Sequence, residues 1–263
     1  MLKNIGVFMR NKISPILIIM ILVIISCKSN NDNLLLGAIY GNIEKVKEAL
    51  QSGADVNAKD TTGDTALIFA SSKGHTELVK ILIHAGANVN IKSFFGRTAL
   101  WHASQERHTE IVKLLIRAGA NVNAKDDQGR TVLWHAVYKG YIEEAKLLIQ
   151  AGADVNIKDN IRGETALMLS AGIRHFEMVK LLIQARASVN IKDNRGETAL
   201  MYAFRIKGSM QIHLQVDKNI IILLVHAGAD INARNNDGES VLSIAENSLD
   251  GFVILLLKEA GAR

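Results

Sequence analysis

The chain has 263 residues, with 31 basic and 26 acidic side chains and a single cysteine, so it can bury a sizeable core and cannot form an intramolecular disulfide. Three of the basic residues (Lys3, Arg10, Lys12) and none of the acidic ones fall within residues 1–26, which leaves 28 against 26, a net of +2, in the rest. That balance lacks the strong basic bias of a nucleic-acid binder, and no nucleic-acid partner is expected.

In chain order, Lys3, Arg10 and Lys12 precede Ile13 to Ser26, fourteen residues without a charge. The run is shorter than the about 20 residues a membrane-spanning helix needs, and it has the layout of a secretory signal core. Met9 offers a second start, since Arg10 and Lys12 alone supply the charged region. Ile24-Ile25-Ser26-Cys27 then places a small residue immediately before the only cysteine. This stretch resembles a bacterial lipobox. The resemblance implies cleavage before Cys27, lipidation of its sulfur, and a membrane anchor of multiple acyl chains. On that reading residues 1–26 are a signal peptide and 27–32 a polar tether. The other reading is a free thiol at the end of an uncleaved anchor.

Leu34 to Tyr40 and Ile43 to Leu50 read as a helix pair started by Asp32 or Asn33, with no hairpin before it, which suits an amino-terminal cap. A pattern then repeats. TALIFA at 65–70 returns as TALWHA at 98–103, TVLWHA at 131–136, TALMLS at 165–170, TALMYA at 198–203 and SVLSIA at 240–245. GADVN at 53–57 returns as GANVN at 86–90 and 119–123, GADVN at 152–156 and GADIN at 228–232. A fixed period of this size specifies a stacked array, in which each unit buries its apolar face only against its neighbours. Within one unit, Thr98 caps a short helix. A second helix, Thr109 to Ala118, carries Ile111, Val112, Leu115 and Ile116 on a buried stripe. Gly119 sits where a left-handed backbone ends that helix, Val122 tucks under the turn, and Asn123 to Gly129 form a projecting hairpin.

The two motifs, in register, resemble the ankyrin repeat over roughly residues 33–263. The resemblance implies an all-α solenoid of helix–turn–helix units with projecting β-hairpins. About seven units are expected, at approximately 33–60, 61–93, 94–126, 127–159, 160–193, 194–235 and 236–263. Several positions depart from the family pattern. Ile68, Trp101, Trp134, Met168 and Met201 replace a turn-holding histidine, so packing takes over from a polar tie. Trp101 and Trp134 are therefore expected to be buried. Arg186 replaces a glycine at a left-handed joint, where the sequence predicts local distortion, and Arg107 and Arg174 replace glycines between paired helices. Nine extra residues fall within Arg205–Asn219, and the last pair, Val241 to Asn247 and Leu249 to Glu259, has a largely apolar run at its end. The weakest part of the array is expected from about residue 185 onward.

Candidate chemistry is sparse. His102 and His135, like His75 and His108, are 33 residues apart at equivalent positions. Equivalent residues of adjacent units lie about 10 Å apart, too far to share a metal ion with bonds of about 2.0–2.1 Å. No phosphate-binding loop and no nucleophile–base pattern is present, so no enzymatic role, metal, cofactor or small-molecule substrate is expected. The basic row Lys59, Lys92, Lys125, Lys158, Lys192 and Arg234 reads as a solvated edge. What the resemblance implies instead is a protein-binding face of hairpin tips and first helices. Its candidate residues on the hairpins are Phe94, Phe95, Ile161, Arg162 and Arg195. Those on the helices are Phe69, His102, Glu106, His135, Tyr138, Lys139, Leu169 and Tyr202. The expected function is a non-catalytic scaffold, lipid-anchored at Cys27 in a bacterial cell envelope and exported to the periplasm or the cell surface. An immunity or inhibitor protein, or an accessory factor stabilising an exported enzyme, are the alternatives.

Overall fold

The computed structural model describes residues 29–204, 217–247 and 251–262, without the side chains of Asn247 and Phe252. Cys27 and its surroundings lie outside the described residues, as do residues 205–216 of the insertion. The chain divides into two compact units, residues 1–88 and 89–263, and the division does not fall at the Arg186 joint.

The first unit contains α1 (Asn30–Tyr40), α2 (Ile43–Gln51), α3 (Ala66–Lys73) and α4 (Thr76–His84). Helix α1 starts earlier than Asp32 or Asn33. Ser29 is its cap: its hydroxyl accepts from Asp32 N–H, and the Asp32 carboxylate accepts from Ser29 N–H. This reciprocal box satisfies two of the orphan donors of a helix start, so residues 30–32 are helical. Leu34 and Ala38 of α1 and Val46 of α2 are wholly buried. The pair meets at Gly37, where a Cβ would stand 2.8 Å from Val46 Cγ2. First helix packs on first helix (α1 on α3) and second on second (α2 on α4).

The second unit repeats this arrangement with α5 (Ala99–Gln105), α6 (Thr109–Arg117), α7 (Val132–Lys139), α8 (Ile142–Gln150), α9 (Ala166–Gly172), α10 (Phe176–Gln184), α11 (Ala199–Tyr202), α12 (Lys218–His226), α13 (Val241–Asn247) and α14 (Gly251–Glu259). Among the described residues the architecture is all-α: β character is confined to the isolated bridges Lys59↔Thr65 and Arg234↔Ser240. Ile111, Val112 and Leu115 of α6 are fully buried, as their spacing predicts, and Val122 is buried under its turn. The residues in place of the turn histidine are all core: Ile68, Trp101, Trp134, Met168 and Met201 are each less than a tenth exposed. At the carboxyl end Leu255 is 55% exposed on α14, consistent with an apolar final helix.

Polar ties join successive repeats. The Asn that ends four of the GADVN-type motifs, and Asn190 at the equivalent place in Arg186–Asn190, accept a backbone N–H from the next repeat. Asn57 takes that of Asn88, Asn90 that of Asn121, Asn123 that of Asp154, Asn156 that of Ser188 and Asn190 that of Asp230, all at 2.7–2.8 Å. The hairpins have their own tie. Asp126 Oδ1 accepts from Gln128 N–H and Arg130 N–H, and Asp159, Asp193 and Asn235 act alike in theirs. Two members of the basic row, Lys92 and Lys192, donate to carbonyls of the following hairpin.

The distortion expected at Arg186 is absent. Its φ is 63°, against 85–88° for Gly53, Gly86, Gly119, Gly152 and Gly228, so the arginine settles in the left-handed well open to L-residues. Its closing bonds, Arg186 N–H to Ile183 and Ala187 N–H to Leu182 at 2.9 and 3.0 Å, match those of Gly119 and Ala120. A Cβ at the equivalent glycines would meet nothing within 4 Å, which is why a side chain is accommodated there at the cost of φ alone.

Candidate functional site

The site lies in the second unit, where two consecutive repeats read Gly-Arg-Thr-x-Leu-Trp-His at 96–102 and 129–135. Thr98 and Thr131 cap α5 and α7 by accepting from Trp101 N–H and Trp134 N–H. Capping fixes the tryptophan one turn into the helix, and the preceding arginine lies back over it. The Arg97 guanidinium is 3.9 Å from the Trp101 ring centroid, and that of Arg130 is 4.2 Å from Trp134. Cation–π contacts of this kind are worth about 0.5–2 kcal/mol. Tyr138, one turn along α7, stacks on Trp134 at 5.5 Å and 12°. His135 turns to Trp101 at 4.9 Å.

These side chains enclose a groove of about 520 Å³ whose rim also carries Glu106 and Lys139. A second hollow of about 400 Å³ shares Arg130, Trp134 and Tyr138 and adds Ile161 and Arg162. Beside the groove, Phe94 and Phe95 form an edge-to-face pair, 75% and 61% exposed. His135 is buried, and desolvation, with help from Lys139 and Arg97, lowers its pKa to about 4, so it is neutral at pH 7. The indole N–H groups of both tryptophans are buried without an acceptor among the described residues. Such donors are uncommon in native cores.

The structure brings Phe94, Phe95, His102, Glu106, His135, Tyr138, Lys139, Ile161 and Arg162 onto the hairpins and first helices of this unit. Within that set His135 contributes a groove wall rather than an exposed contact. Phe69, half-buried on α3, belongs to the other unit. Two candidates are overturned. Leu169 and Tyr202 are 1% and 0% exposed: Tyr202 packs back on α9, where a Cβ at Gly172 would stand 3.2 Å from its ring, and Leu169 reaches the second hollow only as part of its buried lining. The Tyr202 hydroxyl lies 2.8 Å from Asp193 Oδ2 and 3.0 Å from Glu164 Oε1, and burial followed by these carboxylates pushes its pKa upward. Arg195 is exposed but engaged with Asp193 and Glu197 at 3.9 and 3.7 Å. Burial raises the Glu197 carboxyl to about 7, Arg195 opposing.

The candidate residues omit Arg97 and Arg130. The signal for them was a register one. Before each cap residue stand Asp64, Arg97, Arg130, Glu164, Glu197 and Glu239, and only the two arginine repeats carry tryptophan. No group of acidic, histidine or cysteine side chains among the described residues has a metal-holding arrangement, and no described helix is long and apolar enough to cross a membrane.

The chain matches no curated protein significantly. The family profile for ankyrin repeats (3 copies) matches it four times, over residues 17–93, 34–126, 86–159 and 133–235. Those matches span most of its length and agree with the helix pairs, the glycine joints and the asparagine ties: the chain belongs to the ankyrin-repeat family.

Proposed function

We propose that this is a non-catalytic scaffold that binds a protein partner on the hairpin and first-helix face of residues 89–263, held in a bacterial cell envelope by a lipid on Cys27. Ankyrin repeats typically bind proteins. The observation that carries the site is the clustering of apolar exposure. Of six large hydrophobic side chains exposed among the described residues, Phe94, Phe95, Tyr138 and Ile161 lie on this one face. Exposed aromatics beside a groove are the usual anchors of a binding hot spot.

A photo-crosslinking amino acid at Phe94 or Tyr138 should capture one defined protein from intact membranes. The same probe at Lys113, exposed on α6, should not. Equal capture at all three positions, or at Lys113 alone, rejects this face.

The anchor rests on Ser26-Cys27 behind an uncharged fourteen-residue run. Cells fed an alkyne fatty acid should label the protein, and Cys27→Ser should abolish both the label and partition into detergent. Undiminished labelling of the serine variant rejects the anchor and leaves the scaffold reading in place.

A further inference from the structure

The scaffold reading leaves the chemistry of the partner open, and the groove narrows it. Along the register position before the cap, the side chain changes from Arg97 and Arg130 to Glu164 and Glu197 within one unit. The two glutamates are buried and internally matched, Glu164 to Arg162 at 3.3 Å and Glu197 to Arg195 at 3.7 Å. The two arginines have no carboxylate partner among the described residues. Each guanidinium carbon stands over an indole, 3.9 and 4.2 Å from the ring centroid, and that contact holds the side chain in place. That contact leaves the terminal N–H groups, a pair of which reads a carboxylate in a two-pronged bond, while the Nε of each arginine is buried without a partner among the described residues. Arg130 uses part of that edge on the neutral Gln128 amide.

The rest of the lining adds one cation and two acids, of which one is already engaged. Lys139 is exposed on the rim without an ion pair among the described residues. Asp126, the acid in the wall, is buried and already accepts from two backbone N–H groups. Among the described residues Glu106 is the one exposed acid on the rim. The groove is thus built with two ordered, unmatched cations above aromatic walls, and beside it stands the exposed Phe94–Phe95 pair.

We infer that the groove takes an acidic, extended segment of the partner, with two carboxylates three residues apart seated on Arg97 and Arg130. The inference rests on the scaffold reading of this face. Equivalent positions of adjacent repeats lie about 10 Å apart. A polyproline-type strand rises about 3.1 Å per residue with three residues per turn, so side chains at i and i+3 share an edge about 9 Å apart. An apolar residue next to the acidic pair meets Phe95 or Tyr138.

The test uses the full chain in detergent and a fluorescent proline-rich peptide with glutamates at i and i+3, read by anisotropy. Saturable binding is expected. Arg97→Gln and Arg130→Gln should each weaken it about tenfold or more, Lys139→Gln less, and a lysine version of the peptide should not bind. Circular dichroism checks that each variant is folded. Should Arg97→Gln unfold the chain, Arg97→Lys keeps a charge but not the fork and should still weaken binding, as should the surface variant Lys139→Gln. Unchanged affinity in the folded variants overturns the inference. So does binding of heparin or phosphatidylglycerol vesicles through the same arginines with none of the peptide. Capture of a protein at Phe94 together with no peptide binding leaves the scaffold standing and removes only this inference. Loss of both removes both.

Discussion

At the residue scale, two buried groups titrate in opposite senses across the same pH range. His135 has its pKa lowered from 6.5 to about 4, first by burial and then by Lys139 and Arg97. Its neutral form is the folded one, so its contribution is present above pH 6.5 and lost as pH falls towards 4. Glu197 has its pKa raised from 4.5 to about 7, first by burial. Its protonated form is the one the fold favours, so its contribution is present below pH 4.5 and lost as pH rises through 7. The two slopes oppose each other between about pH 4.5 and 6.5. Glu197→Gln should therefore make stability fall more steeply on acidification, and His135→Gln should make it rise, in urea midpoints taken at pH 7.5, 6 and 5. Profiles parallel to that of the unaltered chain would show that neither group titrates as its surroundings dictate. Neither effect is visible in the sequence. His135 looks like His102 one repeat earlier, and Trp101 meets both rings, at 4.9 Å for the buried His135 and 5.7 Å for the half-buried His102.

At the element scale, the hairpin carrying Phe94 and Phe95 is the one that lacks its tie. Where other hairpins have Asp60, Asp126, Asp159, Asp193 or Asn235, this one has Ser93, whose hydroxyl is buried without a partner. It keeps the backbone bonds Ser93 N–H to Arg97 and Gly96 N–H to Ser93, but has no carboxylate to accept from the next N–H groups. Ser93→Asn, the arrangement already present at Asn235, should raise stability by about 0.5–1.5 kcal/mol. The check is a shift in denaturant midpoint, and a loss of stability would mean that the serine fits this tip better. The exposed pair thus sits on the least restrained of these turns, which suits a surface that adjusts to a partner. Helices and joints were legible in the sequence because threonine caps and left-handed glycines are local, and locality is what a single chain reveals. The start of α1 was legible too in Ser29-x-x-Asp32, and was misread by attending to the first apolar residue rather than to the reciprocal cap. The Leu169 and Tyr202 error has the opposite cause. Short helices that pack on both neighbours present only a narrow open strip, and which residues fall on it depends on the neighbouring repeats, as Tyr202 against Gly172 shows.

At the scale of the whole molecule, stability in a repeat protein is close to a sum of repeat and interface contributions, so weak repeats open by themselves. Helix α11 has four residues where α5, α7 and α9 have seven or eight, and its cap Thr198 makes no side-chain bond to the helix. Amides of α11 and α12 should exchange with deuterium sooner than those of α5 to α8. Arg186→Gly should slow that exchange by about 1 kcal/mol of opening free energy. Uniform protection with no effect of the glycine would mean that sound interfaces, not repeat quality, set the order of opening. The asparagine ties carry a different consequence, for chemical ageing. Asn57, Asn90, Asn123, Asn156 and Asn190 use their side-chain oxygen on the next repeat's backbone, and Asn90, Asn123, Asn190 and Asn232 donate their amide to a glycine carbonyl. Deamidation would replace that donor with an anion facing a carbonyl, loosening a joint at every event. The residue after each tie is Ala58, Ile91, Ala124, Ile157, Ile191 or Ala233, never glycine. A side chain at that position hinders the ring closure through which asparagine decays, so the joints of this chain are built from its slower-ageing asparagines.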